Sequence, residues 1–353
     1  MIEIIHDLEE LKFLASSWNE LAKRFKNPLL LNEWFAACAA TYQPEQLQII
    51  VSKSSKGIDA IAPLVLVKNH GITRLELLGS FLYEPSGLIY RNEKTLQELI
   101  EFIIKLKVPI ILTGLRSDSL EVSTFLKMNK KGCFVLKRDG FLSPVLSINT
   151  SWNLFQTNLS STKKYNLRRK RKNAEAQVGK IEVEEITPSI SKLPYYFNLF
   201  TQIEASGWKG RNGTAILCDS RMQKFLSHYC EEKAKQGALK FFFLKINHKI
   251  AGALLRIKDF NRLWSIKTAY NEAYAKYSPG VLLEYEAIRY SFEQGLEALE
   301  FLGQDDPWKN YWTNDKHQYL TIRIYPFTLM GQMSLGLDGF FFLMNKLFQR
   351  AKK

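Results

Sequence analysis

Three apolar segments in the second half of the chain constrain the fold most. They read LKFFFLKI, IAGALLRI and RLWSIKTAY, and only short turns at Asn247-His248 and at KDFN separate them. Such runs predict strands, and turns this short predict that neighbouring strands are antiparallel. The loop NEAYAKYSPG and a helical pattern over 280–295 follow. The second half is therefore predicted to contain a three-stranded meander that leads through a loop into a helix.

Helices and further strands are predicted on both sides of this meander. A helix over about 193–204 ends at SGWKGRNG, and another, capped near Asp219, runs to Gly237. A buried strand, ALEFLG, and a late strand, YLTIRIY, follow the helix after the meander. The resulting order is two helices, three strands, a loop, a helix and two strands.

The first half has a similar mixed order. LQIIVSK and DAIAPLVLVK flank a turn at Lys56-Gly57 and predict a hairpin, and a helix over 95–105 precedes the strand PIILTGL. LNEWFAACAATY predicts a helix with Asn32 as its cap. An opening amphipathic helix is indicated by apolar residues at steps of three and four, namely Leu8, Leu11, Leu14, Trp18 and Leu21.

The two halves resemble each other. KGIDAIAPLVLVK is similar to HKIAGALLRIK, and YEPSG is similar to YSPGV, each before a helix. This favours two copies of one architecture over two unrelated domains. A chain of 353 residues is also long enough for two domains. We predict domains over 1–150 and 151–330, and an amphipathic basic helix over 331–353.

Charge and composition limit the partners. The chain carries 49 basic and 35 acidic side chains, a net charge of +14, which favours phosphorylated or polyanionic partners. The acidic start MIEIIHDLEE does not resemble a secretory leader, so a cytosolic protein is expected. Four separated cysteines and five scattered histidines show no metal-ligand spacing, so no metal is expected.

The segment LSSTKKYNLRRKRKNAEAQ, residues 159–177, is strongly basic, and a basic helix is predicted over 161–180. Between Lys163 and Lys172 it contains seven Lys and Arg and no acid. Lys164, Arg168 and Arg171 recur on one face, which suits the phosphates of CoA, of a nucleotide-linked acceptor or of tRNA. No base-reading architecture accompanies the segment, which argues against DNA recognition. The alternative is a solvated linker helix.

The loop before the helix at 280–295 is a candidate anion site. Tyr277, Ser278, Pro279 and Gly280 stand at the helix start, where free amides and the helix dipole favour a pyrophosphate. An ordinary strand-to-helix turn is the alternative, since the motif is short.

The order of meander, anion-ready loop and helix resembles the GNAT acyltransferases. The chain is similar to their CelD/BcsL branch, named for cellulose biosynthesis and related to the FemAB peptidyltransferases. The resemblance covers nearly the whole chain, with SWNEL, NPLLLNEWF and AIAPLVLV in the first half. It is carried mainly by four segments, KKYNLRRKRK, SGWKGRNG, AYNEAYAKYSPGVLL and LGQDDPWKNYW. Asn271 stands where the family usually has Asp, and Trp308 where it usually has Tyr.

The resemblance implies two tandem GNAT-like α/β domains, each a mixed, mostly antiparallel sheet flanked by helices. In the second domain, splayed strands and the anion loop would hold acyl-CoA. Backbone amides near Ser265, Ile266 and Lys267 would stabilise the oxyanion, and Tyr270 would protonate the leaving thiolate. The motifs further imply an acceptor pocket shaped by Trp208, Lys209, Trp308 and Lys309. The plain alternatives for these residues are packing and solvation.

Acyl transfer to an amine or hydroxyl also needs a base. The candidates are Glu204, Glu272, Asp305 and Asp306, with Glu204 also a candidate for substrate binding. Asn271 cannot act as a carboxylate base. The leading hypothesis is direct transfer from acyl-CoA to a small-molecule, envelope or exopolysaccharide precursor. Two alternatives stay open, namely an aminoacyl-tRNA donor as in FemAB enzymes, and an inert binding protein that keeps the fold.

The C-terminal segment FFFLMNKLFQRAKK places Phe340, Met344 and Leu347 on one helical stripe, near basic residues. This pattern is consistent with peripheral contact to an anionic membrane surface. A helix packed on the body of the protein with a solvated basic end is the alternative. The basic residues in question are Lys346, Arg350, Lys352 and Lys353.

Overall fold

The computed structural model of the protein describes residues 1–42 and 46–351. Lys352 and Lys353 lie outside the described residues, and so do the side chains of Lys346 and Arg350. The chain divides into two units, one formed by Met1–Leu142 with His317–Lys353 and the other by Ser143–Lys316.

The elements follow one another in a mixed α and β order. In the first 147 residues they are β1 (Ile2–Ile5), α1 (Leu8–Phe13), α2 (Ala15–Ala22), α3 (Asn32–Tyr42), β2 (Leu47–Ser54), β3 (Gly57–Asn69), β4 (Ile72–Leu77), β5 (Ile89–Tyr90), α4 (Glu93–Lys105), β6 (Ile110–Arg116), α5 (Leu120–Lys127) and β7 (Cys133–Ser147). They continue with α6 (Trp152–Asn158), α7 (Ser161–Gln177), β8 (Ile181–Ile186), α8 (Leu193–Ala205), α9 (Trp208–Arg211), α10 (Ser220–Lys235), β9 (Leu239–Ile246), β10 (Lys249–Asp259), β11 (Arg262–Tyr270), α11 (Pro279–Glu293), β12 (Ala298–Glu300), α12 (Pro307–Asn310), β13 (Lys316–Pro326) and α13 (Leu329–Ala351).

The first unit is built on a sheet with the strand order β1-β2-β3-β4-β6-β13, and β5 pairs with β3. The pairs β1–β2, β2–β3, β3–β4 and β6–β13 are antiparallel, whereas β4 and β6 are parallel. Helix α4 begins at the cap Asn92 and buries Leu96, Leu99, Ile100 and Ile103 in the core of this unit. Burial of this apolar stripe is what holds the helix against the sheet.

The second unit has the strand order β7-β12-β11-β10-β9-β8, in which residues 145–147 of β7 pair with β12. The predicted meander is present as β9, β10 and β11, with antiparallel pairing throughout. Both turns contain two residues of positive φ, Asn247-His248 and Phe260-Asn261, which is the geometry of tight hairpins. Among the strand pairs described for this unit, β11 and β12 are the parallel one.

The predicted fold class is confirmed, because each unit is a mixed, mostly antiparallel sheet flanked by helices. Two details of the first helices differ from the prediction. The opening helical pattern forms two helices, α1 and α2, that meet at Leu14. Asn32 is the first residue of α3 and not its cap, because its amide N–H donates to Asn19 and its side chain donates to the carbonyl of Leu11.

In the described ranges, no helix is long and apolar enough to cross a membrane.

Candidate functional site

The two parallel strands of the second unit separate soon after they meet. Their pairing covers three residues and ends where Trp264 lies opposite Glu300. Strand β12 stops there, whereas β11 continues to Tyr270. In the described part of the chain, residues 265–270 therefore have no strand partner on the β12 side. An unpaired edge of this kind offers N–H and C=O groups to an extended ligand.

The bulge in β11 lies at the start of this open edge. Lys267 is opposite Leu255 and Ser265 is opposite Arg256, so Ile266 is the extra residue. A bulge bends its strand and redirects the backbone groups around it. The three residues predicted to stabilise an oxyanion, Ser265, Ile266 and Lys267, are thus the residues where β11 bulges and leaves β12.

The loop between β11 and α11 is fixed by its own backbone. Asn271 caps a short 3-10 turn over Glu272–Tyr277, because its Oδ1 accepts a hydrogen bond of 3.0 Å from the amide of Ala273. Ser278 has φ +52°, and α11 begins at the next residue, Pro279. The first turn of α11, a helix of 15 residues, therefore borders the loop. Asn271 stands where the family usually has Asp, and either residue can cap this turn.

Helix α7 reaches this loop with two side chains. The ammonium of Lys170 hydrogen-bonds to Ser278 Oγ. The side-chain oxygen of Gln177 accepts from Tyr277 Oη at 3.0 Å and from Lys276 Nζ at 3.3 Å. Burial and the nearby Arg169 lower the pKa of Lys170 below its usual range. A partly desolvated cation at a helix N-terminus strengthens a site for a phosphate group.

Tyr270 and Gly280 lie beside each other at the mouth of the site. A Cβ atom added to Gly280 would find only Tyr270 Cδ1 within 4.0 Å. The tyrosine ring therefore covers the first turn of α11, at the end of the open edge of β11. Tyr270 thus lies next to both the open edge and the anion loop, and its role as a proton donor stays a prediction.

Glu272 joins the loop to the short helix α9. Its Oε1 accepts from the Trp208 amide at 2.8 Å, and its Oε2 pairs with Arg211 Nη1 at 2.5 Å. The bond from Arg211 lowers the pKa of Glu272 below its usual range. A carboxylate held in this way is a weak base, so its position favours shaping the site over proton removal. Trp208 itself is exposed.

The loop after β12 leaves the sheet at the same end as the loop after β11, because the two strands are parallel. Asp305 pairs with Lys316 at 2.5 Å, and this bond lowers the pKa of Asp305. Asp306 occupies the N-cap position of α12, and half of its side chain is exposed. Of the two acids, Asp306 is therefore the more accessible. Trp308, on α12, is exposed and packs edge-on against Phe301.

Lys309 holds this loop through hydrogen bonds to its backbone. The residue is buried, and its Nζ donates to the carbonyls of Leu302 at 2.8 Å and Gln304 at 2.6 Å. It also lies 3.2 Å from Asp306 Oδ2 and 5.6 Å from the Trp308 ring centre. An ammonium has three N–H donors, and all three have acceptors here. The lysine is thus engaged in holding the loop.

The buried Glu204 and the partly buried Lys209 form an ion pair near β11. Glu204 Oε1 lies 2.9 Å from Lys209 Nζ, and its Oε2 accepts from the amide of Ile216 at 2.8 Å. Lys209 Nζ also lies 3.4 Å from the carbonyl oxygen of Thr268, on the stretch of β11 that extends past β12. The pair therefore connects α8 with the predicted acyl-donor strand.

The predicted basic face of α7 lines a different cavity. Lys164, Arg168 and Arg171 border a cavity of about 530 Å³ whose floor includes Leu244 and Leu282. Arg171 pairs with buried Glu286 at 3.1 Å, and Lys164 Nζ donates to the carbonyl of Thr157. The structure thus brings these three cations together, but at the side of α11 and not at its first turn.

The sequence did not predict a buried ion pair that joins β10 to α11. Arg256 on β10 and Glu284 on α11 pair at 2.5 Å, and both are buried almost completely. Burial raises the pKa of Glu284, and burial also lowers that of Arg256. Arg256 Nε, Glu284 Oε1 and Ser265 Oγ are buried without a hydrogen-bond partner in the described chain. Only tertiary pairing could reveal this cluster, because its members come from three elements.

Lys170 and Arg211 were also missed. For Lys170 a signal existed, because it lies on the same face of α7 as Leu167 and Ala174, the two buried residues of that helix. A lysine on the packed face of a helix must meet another element. For Arg211 the sequence contains no comparable signal.

Comparisons with known proteins agree with this geometry. Residues 161–310 match the family model described as acetyltransferase (GNAT) domain. No curated protein matches the sequence. Among solved structures, the chain is similar to FemX, with 12% identity, a TM-score of 0.59 and coverage of 96% of this chain and 99% of that one.

Two further structures share the fold. A conserved protein of unknown function from Bacteroides thetaiotaomicron VPI-5482 has 11% identity and a TM-score of 0.58, covering 92% of this chain and 99% of its own. The C-terminal domain of a proposed lysylphosphatidylglycerol synthetase from Agrobacterium fabrum has 10% identity and a TM-score of 0.55, covering 90% and 92%. The GNAT resemblance is therefore confirmed for residues 161–310, whereas membership of the CelD/BcsL branch stays a prediction.

Proposed function

We propose that the protein transfers an acyl group from acyl-CoA to an amine or hydroxyl of an acceptor. The observation that carries this proposal is the open edge of β11 over residues 265–270, which leads to the first turn of α11 with Lys170 beside it. The pantetheine of the donor would extend along the open edge, and its pyrophosphate would meet Ser278, Gly280 and Lys170. Tyr277 supports this loop through its bond to Gln177.

The reaction would proceed by direct attack. The acceptor nitrogen or oxygen bonds to the thioester carbon, the carbon–sulfur bond breaks, and the electron pair leaves with the thiolate. Amides around Ser265, Ile266 and Lys267 would stabilise the oxyanion. Tyr270 would give its proton to the thiolate, and Asp306 would take the proton of the acceptor. Trp208 and Trp308, both exposed, would form walls of the acceptor site.

The ion-paired residues receive supporting roles in this proposal. Glu272 and Asp305 each have a cationic partner that lowers their pKa, which makes them poor bases. Asp306 also lies 3.2 Å from Lys309, but half of its side chain is exposed, and this accessibility is why the proposal assigns it the role of base. Glu204 with Lys209 would position β11, and Lys309 would hold the loop that carries Asp306. The acceptor class that the CelD/BcsL resemblance implies is an envelope or exopolysaccharide precursor.

A second candidate function uses aminoacyl-tRNA as the donor. The fold similarity to FemX and the cluster of cations on α7 favour it. An inert binding protein is the third candidate, and the ion-paired state of Glu272 and Asp305 favours it. The tRNA candidate predicts binding that weakens steeply as salt rises, because phosphate contacts release counterions.

Calorimetric titration with CoA and acetyl-CoA tests the donor. Lys170→Ala should weaken CoA binding by about tenfold or more, because a charge-assisted contact to a phosphate is lost. Lys172→Ala is the matched control, since Lys172 is an exposed cation on the same helix, and it should change affinity by less than about twofold. Absence of CoA binding to the unmodified protein would contradict the proposal, and salt-sensitive tRNA binding beside it would favour the second candidate.

A further inference from the structure

Helix α13 has an inner face that anchors it to the first unit. Asp338 lies 3.0 Å from Arg74 and 2.6 Å from Arg323, and Tyr325 Oη donates to it at 2.6 Å. Burial opposes ionisation of Asp338, but the bonds from Tyr325 and Arg323 lower its pKa overall. Ser334, one turn earlier, is also fully buried. These contacts determine which side of the helix faces away from the unit.

The opposite side, which we call the outer face of α13, is apolar and exposed. Its residues recur at helical spacing over nearly the whole helix, and their exposed fractions lie between 44% and 75%. Surface side chains of this size normally occur singly on monomeric soluble proteins, so seven on one helix face indicate an interaction surface. They are Leu329, Met330, Met333, Phe340, Leu343, Leu347 and Phe348.

A cation and a histidine flank helix α13 beside its outer face. Among the described side chains of α13, the one charged residue is Asp338, and it is buried on the inner face. The guanidinium of Arg138 lies 4.5 Å from the ring centre of Phe342, and the ring of His70 lies 4.8 Å from that of Phe341. The flanks of the helix thus present a cation and a histidine, with Glu76 in the same depression, and the described exposed residues of α13 include no acid.

From this arrangement we infer that the outer face of α13 lies on an anionic lipid bilayer. Apolar side chains on one face of a helix insert at the boundary between headgroups and acyl chains, and nearby cations bind anionic headgroups. A second copy of this chain fits the charge pattern less well. In a dimer, the same cations of two copies, each with a net charge of +14, would repel one another. An anionic surface would instead neutralise these cations.

Vesicle flotation with the full chain tests the inference. The wild type should float with vesicles of phosphatidylcholine and phosphatidylglycerol, and much less with phosphatidylcholine alone. Leu343→Ser with Leu347→Ser should reduce binding at least about tenfold, because two inserted side chains are lost. Leu126→Ser with Leu142→Ser is the matched control, as both leucines are exposed elsewhere in the same unit, and it should bind like the wild type.

Arg138→Gln separates the electrostatic part. It should reduce binding to the anionic vesicles by about fivefold and leave binding to neutral vesicles unchanged. Circular dichroism of every variant confirms folding, which substitutions of exposed residues preserve. Equal flotation of the wild type and the Leu343/Leu347 variant would overturn the inference, as would no flotation at all. A dimer in light scattering that the same variant abolishes would show instead that a second copy covers the face.

Discussion

A buried carboxyl group in the first unit should make the stability of the protein depend on pH. Glu121 lies in the first turn of α5 and is buried. Its Oε2 accepts a hydrogen bond of 2.7 Å from the amide of Leu88. A Cβ atom on Gly87 would lie only 2.8 Å from Glu121 Oε1, so the backbone closes tightly over the group. No cation is paired with this carboxyl group among its described contacts.

Burial raises the pKa of Glu121 from 4.5 to about 7, although the bonds from Leu88 and Ser119 oppose the change. The folded state therefore binds a proton that the unfolded state has released between these two pH values. The stabilisation of the folded state by this bound proton is fully present below about pH 4.5 and is lost as pH rises through about 7. The free energy of unfolding should fall by about 2.5 kcal/mol between about pH 5 and pH 8 because of this group alone.

Urea unfolding measures this pH-dependent contribution to the unfolding free energy. The wild type and Glu121→Gln are compared at several pH values, with tryptophan fluorescence as the signal. The difference in unfolding free energy between the two proteins should change by about 2.5 kcal/mol across that range, in favour of the variant at high pH. Any constant packing cost of the amide cancels in this comparison. Glu98→Gln, on the exposed side of α4, is the matched control. A difference between wild type and Glu121→Gln that stays constant with pH would refute the reasoning.

Two further predictions concern the second unit. Arg256→Met should destabilise the protein by about 3–5 kcal/mol in chemical unfolding, because it leaves Glu284 buried and unpaired, whereas the double variant with Glu284→Leu should recover most of this loss; a double variant no more stable than the single one would contradict this. Lys309→Met leaves the carbonyls of Leu302 and Gln304 without their donor, so we expect a loss of about 2 kcal/mol and faster cleavage of the loop in limited proteolysis. Unchanged cleavage would show that Lys309 does not hold the loop.

Local sequence patterns were sufficient for much of the second unit. The meander, its two turns and the helix at Pro279 depend on neighbouring residues, because turn geometry and apolar periodicity are local properties. The residues around Ser265 and Ser278 were therefore placed on the correct elements. The opening helix shows the limit of the same reasoning, because its apolar spacing runs past Leu14, where the chain changes from α1 to α2.

Local sequence patterns could not predict which charged side chains form ion pairs with one another. Glu272 meets Arg211 and Asp305 meets Lys316 through contacts between separate elements. Such contacts decide whether a carboxylate is a free base or a tethered one, since an adjacent cation changes its pKa. The same applies to Lys170, which the sequence shows only as one cation in a basic run.

The amino-acid sequence by itself determined the mixed α/β class, the order of meander, loop and helix in the second half, and the basic character of α7, because these follow from composition and periodicity. Tertiary structure decided that β11 separates from β12 after Trp264, that Lys170 meets Ser278, and that Asp338 holds the inner face of α13. Each of these depends on where distant segments pack. The chemistry of the site depends on distances between side chains, and packing alone sets those distances.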